Sequence, residues 1–360
     1  MANPTAPSPD RPRYDASALR AMAAALFQRA GMPADRAADV ADILIEGDLM
    51  GHDTHGLQLL PVYLAEIDSG SMLVREDYDV VSDRAAVATW DGKRLPGPWL
   101  TLRALDVAIA KARDYGTGTV TIRRSHHIAC LAAYLERATR AGLVMLLYSS
   151  APAAKMVAPF GGTQPLFSPS PVAVGFPTAR GPVLVDISTS ITTVGLTTRL
   201  YREGKTLPHP WLLDEHGNPS NDPTVLQPPH AGSILPLGGL DVGHKGFALS
   251  LMVEVLTAGL AGHGRDDPGK RWGNTVFLQI LDPAAFAGEA DFAHQMDWIA
   301  AACQDNRPRP GVERVRLPGQ AALERKAAQL EHGVALNPGI VPLLRPWLDK
   351  FGIEMPPARG

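Results

Sequence analysis

Between Asp15 and Gly70 the apolar residues recur at helical spacing, broken by glycine and polar punctuation. Asp15 or Ser17 can cap a helix running to about Ala30, with Gly31 as a left-handed stop. Pro33 suits the first turn of a second helix, in which Val40, Ile43 and Leu44 form one stripe that fades between Gly47 and Gly51. Leu57, Leu60, Leu64 and Ile67 mark a third, ended by Gly70. Residues 73–96 read as short strands and turns, and Pro98 opens a helix through about Tyr115. The period then changes. "TGTVTI" is a strand, "RRSHH" a turn, "IACLAAYLERATRAG" a helix closed by Gly142, and "LVMLLYSS" a strand, which together make a βαβ pattern. Proline and glycine crowd 151–182, a long structured loop with brief strands. "PVLVDI" is a buried strand running into "STSITT", and "PWLLDEHGNPSNDP" a strand and a turn-rich excursion. "GGLDVGHKG" leads into a helix over 246–261, read as buried and amphipathic, with Glu254 inside it. "NTVFLQIL" is a further strand, and helices follow near 284–304, 318–332 and 340–350.

The 360 residues suffice for about two packed units. Apolar residues make up 45% and charged residues 20%, the balance of a globular chain able to bury a core. The net charge of −3 is spread along the sequence, which argues against a nucleic-acid partner. No run of about 18 uncharged apolar residues suggests a membrane span. Two cysteines, Cys130 and Cys303, both in Ala-rich helical contexts, read as small buried hydrophobes of a cytoplasmic protein. The proline-rich start, 1–14, reads as a flexible tail with no signal-peptide core.

Four stretches could carry chemistry. In "GHDTHG", His52 and His55 flank Asp53 and Thr54. The pair lacks the third and fourth ligands of a metal site, so acid/base use and a plain structural joint are the stronger readings. Ser125 stands where a helix N-cap would follow a strand end, with His126 and His127 behind it, a place suited to an anion. "VDISTSITT" puts Asp186 and three hydroxyls after a buried strand, where they could hold ribose and phosphate oxygens or cap a helix. A histidine would be a natural partner for a buried Asp186. Lys245, between Gly243 and Gly246 at a helix start, could meet an anion or be a surface lysine. The G-x-G-x-x-G fingerprint, P-loop, G-x-S-x-G elbow and H-E-x-x-H are all missing.

Taken in order, "GHDTHGLQLLPVYLAEIDSG", "RRSHHIACLAAYL", "PFGGTQPLFSPSPVAVGFP", "VLVDISTS", "GHKGFALSLMVEVL" and "RLPGQ" closely resemble the type-2 malate/L-lactate dehydrogenase family. That family includes sulfolactate and ureidoglycolate dehydrogenases and ketoacid or cyclic-imine reductases. The resemblance covers about residues 15–345. It implies an α/β fold of α+β character and non-Rossmann type. An antiparallel-sheet cofactor domain, 121–274, would join a helical substrate domain built from both chain ends, 15–120 and 275–360, usually in a homodimer. It implies His55 as the acid/base histidine, with Thr54 in place of the usual serine, and Ser125 and His127 lining the nicotinamide pocket. Thr54, His55 and His127 would touch substrate. Asp186, Ile187, Ser188, Thr189, Ser190, Ile191 and Thr192 would be a cofactor-binding stretch, with Asp186 also holding a pocket histidine in its working state. His244, Lys245, Gly246, Gly319 and Gln320 would be further cofactor contacts.

Three positions depart from the family's pattern. Leu59 stands where many members carry an arginine for the substrate carboxylate, which leaves Arg123, Arg124 and Lys155 as candidates to replace it. Ser168-Pro169-Ser170-Pro171 replaces Gly-Thr-Asn-Pro, and Gln320 replaces an acid. The expected function is NAD- or NADP-dependent hydride transfer between a nicotinamide and a small 2-hydroxy or 2-oxo acid. The rivals are reduction of a cyclic imine in the same pocket and, from another class, a non-catalytic metal- or ligand-binding protein using His52, His55 and His127. The resemblance implies no resident metal. In the reduction direction His55 should be protonated, so the rate should fall as pH rises through its pKa.

Overall fold

The computed structural model describes residues 11–359 apart from 268 and 270. In chain order its elements are β1 Arg13–Tyr14, α1 Ala16–Arg29, α2 Ala34–Met50, α3 Leu60–Asp68, β2 Asp79–Arg84, β3 Val87–Asp91, α4 Gly97–Tyr115, β4 Thr117–Ser125, α5 Ala132–Thr139, β5 Val144–Ser150, β6 Val172–Phe176 and β7 Val183–Ile187. They continue with α6 Val194–Arg202, β8 Leu212–Leu213, β9 Pro219–Ser220, β10 Ser233–Ile234, α7 Gly239–Val242, α8 His244–Glu254, β11 Asn274–Leu281, α9 Glu289–Gln304, α10 Gln320–His332, β12 Val334–Ala335, α11 Ile340–Phe351 and β13 Ala358–Arg359.

Local chemistry explains the helix starts. Asp15 caps α1 by accepting the Ala18 N–H at 2.9 Å. Gly51 and Gly116, both left-handed, end α2 and α4. Most of the segment read as a tail lies outside the described residues, but Arg13 and Tyr14 form β1, which pairs with β12 and β13 and so joins the two chain ends.

Seven strands form the main sheet in the order β2-β3-β4-β11-β5-β6-β7. Only β3 and β4 are parallel neighbours; every other pair is antiparallel. The expected βαβ unit is split. β4 and β5 run the same way, but β11 inserts between them and pairs with both. β11 is buried on both faces over most of its length, which suits this central place. β4 crosses position 120 and β11 begins at 274, so one sheet spans the expected division of the chain at those positions.

α4 lies on β4 and β11, α5 lies on β5, β6 and β7, and α2 packs against α1, α4, α5 and α10. One large core fills this side of the sheet. On the other side Val253 of α8 meets Tyr148, Val172 and Phe277. A correction concerns the helix expected over 246–261. It is α8 followed by a π-helical turn, Val255–Gly259, and it is not buried all round, since Leu251, Met252, Val255 and Leu260 are exposed. α6 was not expected from the sequence. Among the described residues no helix is long and apolar enough to cross a membrane.

Candidate active site

The joint after α2 is shaped by two glycines. A Cβ on Gly47 would stand 2.9 Å from the His55 carbonyl oxygen, and one on Gly56 would stand 2.3 Å from the Asp48 carboxylate. With hydrogen in both places, the 3-10 turns Asp53–His55 and Leu57–Leu59 lie flat on the end of α2. Asp48 accepts the Leu57 N–H at 2.7 Å, and its burial pushes its own pKa well up. This seat fixes His55, whose Nδ1 lies 2.9 Å from the Thr54 hydroxyl.

His127 arrives from the segment after β4, and its ring stacks on that of His55 with centroids 5.7 Å apart. The Tyr63 hydroxyl, from α3, lies 2.9 Å from His127 Nδ1 and 3.1 Å from the His127 carbonyl oxygen. Trp272, leading into β11, also stacks on His127, with ring centroids 4.7 Å apart. The Ala129 N–H donates to His127 Nδ1 at 3.2 Å. A backbone N–H can only donate, so Nδ1 accepts and the neutral ring carries its proton on Nε2.

Burial dominates the electrostatics. It lowers the His55 pKa to about 4, helped by His52 and opposed by the negative charge of Asp186. It lowers His127 well below the ordinary value, with His55 and His126 adding to the effect. It raises Tyr63, which keeps that phenol a donor. At neutral pH the two stacked imidazoles are therefore uncharged, and His55 is able to accept a proton.

Asp186, near the end of β7, accepts the Ala132 N–H at 2.8 Å and so caps α5. This corrects the reading of Ser125 as a helix N-cap. Ser125 is the last residue of β4, its hydroxyl donates to the His126 carbonyl at 2.8 Å, and α5 begins only at Ala132. Asp186 thus acts on His55 by charge. Donor atoms of His52, Cys130 and Asp186 lie within 4.8 Å of one another. Burial, with the Asp186 charge beside it, pushes the Cys130 thiol well up, so this cluster holds its proton, and it packs around the start of α5.

The stretch after Asp186 runs back towards His55, because a Cβ on Gly195 would touch Thr54 at 2.8 Å. Most of its hydroxyls are engaged locally. Ser188 donates to the Ser190 carbonyl, Thr189 to that of Pro169, and Ser190 to that of Thr192. Thr192 Oγ1 is buried without a partner. The start of α8 is tied to the same stretch: Ser250 donates to Thr189 Oγ1 at 2.9 Å, and Leu237 bonds to both Thr189 and Gly246. Gly246 is pressed against Leu237, whereas His244 and Lys245 are exposed. Gly319, left-handed at φ +85°, packs on Leu184 of β7, and Gln320 accepts the Leu317 N–H at 3.2 Å. Ile187 is exposed at the end of β7, and the backbone of Ile191 bonds to Leu235.

The departures have structural answers. Leu59 packs against the large core. Arg123 and Arg124 both bind Asp91, whereas Lys155 is exposed and makes no ion pair among the described residues. The serines of 168–171 bond to each other at 2.9 Å, and Ser168 also accepts the Ala151 N–H. Sequence reasoning missed Tyr63 and Trp272. Tyr63 sits eight residues after His55, on the same run of apolar spacing, and so left a faint signal. Trp272 arrives through the centre of the sheet and left none.

Comparison with known proteins shows the family. The malate/L-lactate dehydrogenase family model matches residues 14–345. The chain is 31% identical to the L-lactate dehydrogenase of Cupriavidus necator over 356 residues, 95% of this chain and 99% of the relative. It is similar to the crystal structure of a dehydrogenase from Sinorhizobium meliloti (TM-score 0.83, 32% identity, 93% of this chain and 97% of that one). It is also similar to the delta1-piperideine-2-carboxylate reductase of Pseudomonas syringae pv. tomato (TM-score 0.78, 28% identity, 93% and 99%). The chain belongs to the malate/L-lactate dehydrogenase family, whose members are oxidoreductases acting on hydroxy acids.

Proposed function

We propose that this protein is an NAD- or NADP-dependent dehydrogenase interconverting a small 2-hydroxy acid and its 2-oxo acid. The observation that carries the reading is the convergence of His55, His127 and the stretch following Asp186 from three distant parts of the chain, with the two rings 5.7 Å apart. The residues fit a nicotinamide cofactor. Thr192 Oγ1 is buried and unpaired, beside a stretch that is backbone-rich and passes Thr54 at Gly195. Asp186 to Thr192, with Ser125, His127, His244 to Gly246, Gly319 and Gln320, would hold it. When bound, the reduced cofactor supplies a hydride to the substrate carbon. His55 takes the hydroxyl proton in oxidation and returns it in reduction, oriented by the Thr54 hydroxyl at 2.9 Å. His127 offers Nε2–H to the substrate oxygen, and Tyr63 holds its orientation.

The lowered pKa of His55 refines the pH expectation. Oxidation needs the neutral ring, so its rate should rise with pH through a value below the ordinary 6.5 and be level at neutral pH. Reduction needs the cation, so its rate should fall with rising pH, with the substrate's own carboxylate shifting the limb upward. We further assign the cofactor mainly to strands and loops of 121–274, joined by Gly319 and Gln320, and the substrate side to the helices of 15–120 and 275–360, with the one sheet shared between them. A cytoplasmic homodimer is our reading, with the exposed apolar residues Leu251, Val255 and Leu260 as its supporting surface. The likeness to the piperideine-carboxylate reductase favours a second reading, reduction of a cyclic C=N acid in the same pocket. The test is a spectrophotometric screen of NADH and NADPH against 2-oxo acids and cyclic imino acids. Turnover of an oxo acid is expected, and turnover of neither class would reject both readings.

A further inference from the structure

A polar cavity of about 520 Å³ opens beside Gly273, next to Trp272. Ser125, Gly273 and Asn274 form part of its wall, and Trp272 itself stacks on His127. Arg94, Arg124, Lys155, Arg265 and Arg271 line it, against one acid, Asp267.

Among the described residues the acids near the cavity are engaged, Glu66, whose charge acts on Arg94, with His126 at 3.3 Å. Asp91 binds Arg124, Glu254 binds Arg265, and Asp267 accepts from the Gly264 N–H and lies 3.3 Å from His263. Lys155 and Arg271 make no ion pair among the described residues. Arg94 uses Nε on the Ser71 carbonyl and Nη2 on the Trp272 carbonyl, which leaves Nη1 over. A Cβ on Gly273 would sit 3.6 Å from that nitrogen and collide with the Ser125 carbonyl, so the glycine keeps the approach open. Burial, with the nearby Arg271 adding to it, lowers the Arg94 pKa, and the charge of Glu66 opposes them. Asn274 stands in the same wall. It is 7% exposed, its Nδ2 donates to Ser149 Oγ at 2.5 Å, and its Oδ1 has no partner. Whichever way the amide is turned, one of its polar atoms has no partner among the described residues.

We propose that this cavity binds an oxyanion — a carboxylate, sulfonate or phosphate group — through Arg94, Lys155 and Arg271. The group could be the distal acid of the substrate, a case that rests on the function proposed above, or a free anion. The chemistry is the same, and two arms of one experiment separate the sources.

In the first arm, the whole protein is titrated calorimetrically with inorganic phosphate at fixed ionic strength. Saturable one-to-one binding is expected, weakened roughly tenfold or more in Arg271→Glu and in Lys155→Glu, both exposed positions. In the second arm, kcat/KM for oxaloacetate is divided by that for pyruvate. A fall of roughly tenfold in this ratio in both variants assigns the cavity to the substrate's distal group. Weakened phosphate binding with an unchanged ratio assigns it to a free anion. Phosphate binding that is absent, or equal in the variants, together with an unchanged ratio overturns the proposal. Failure to turn over any oxo acid would count against the function alone, because the titration still decides the cavity. Circular dichroism of both variants confirms that each is folded.

Discussion

At the residue scale the site depends on a few groups whose protonation is set by burial. His55→Ala removes the proposed proton acceptor and should lower kcat about 10²–10⁴-fold while the far-ultraviolet spectrum stays that of wild type. A variant as fast as wild type would remove His55 from the chemistry. Thr54→Val deletes the hydroxyl that meets His55 Nδ1 at 2.9 Å and keeps the side-chain shape. A loss of roughly tenfold in kcat, largely restored by Thr54→Ser, is expected from steady-state kinetics. His126 makes a prediction about stability. Its ring is fully buried, and burial, with Arg94 second, lowers its pKa to about 3. Glu66, 3.3 Å from Nε2, would favour the cation, but a neutral ring donating Nε2–H to that carboxylate satisfies the contact equally well. Above the ordinary histidine value of 6.5 both folded and unfolded rings are neutral and the full stability is present. As pH falls from 6.5 towards 3, the unfolded ring gains a proton that the folded one refuses, and stability is lost. Urea unfolding should show about 2 kcal/mol lost between pH 7 and 5 through this ring, and His126→Gln should flatten that slope.

At the element scale, loops are held to the sheet by a small number of charged side chains. Arg265 joins the end of β5, the 151–168 loop and α8. It donates to Ser150 and Ser168 hydroxyls, to the carbonyls of Ala154 and Leu166, and to Glu254. Arg265→Met would leave Glu254 nearly buried without its cation and should destabilise the protein by about 3 kcal/mol. Adding Glu254→Gln should recover part of the loss, as read by chemical denaturation; no recovery would mean that the loop carbonyls matter more than the charge. The elements themselves were largely legible. Asp15, Gly51 and Gly116 act locally, and a helix boundary set by its own capping residue can be read from its own segment. Ser125 misleads for the opposite reason. A serine after a strand looks like a cap, but the α5 amide is taken by Asp186, fifty-four positions further on.

At the scale of the whole molecule, one helical face carries an exposed apolar surface. Leu240, Leu251, Val255 and Leu260 are each about half exposed along α7, α8 and the π turn. If this face joins two copies, Val255→Glu should shift sedimentation or light scattering from dimer to monomer, and an unchanged mass would place any interface elsewhere.

The sequence by itself determined most of the helices and strands, though not α6 or the π turn after α8; it also determined where several of them stop and which ordered motifs mark the family. Those properties follow from spacing, caps and turn residues acting over a few positions. Only the tertiary structure decided that β11 divides the βαβ unit, that Tyr63 and Trp272 enclose His127, and that burial holds both site imidazoles neutral. Those outcomes depend on packing between segments up to two hundred residues apart, and the desolvation that sets a histidine's charge exists only once its neighbours have closed over it.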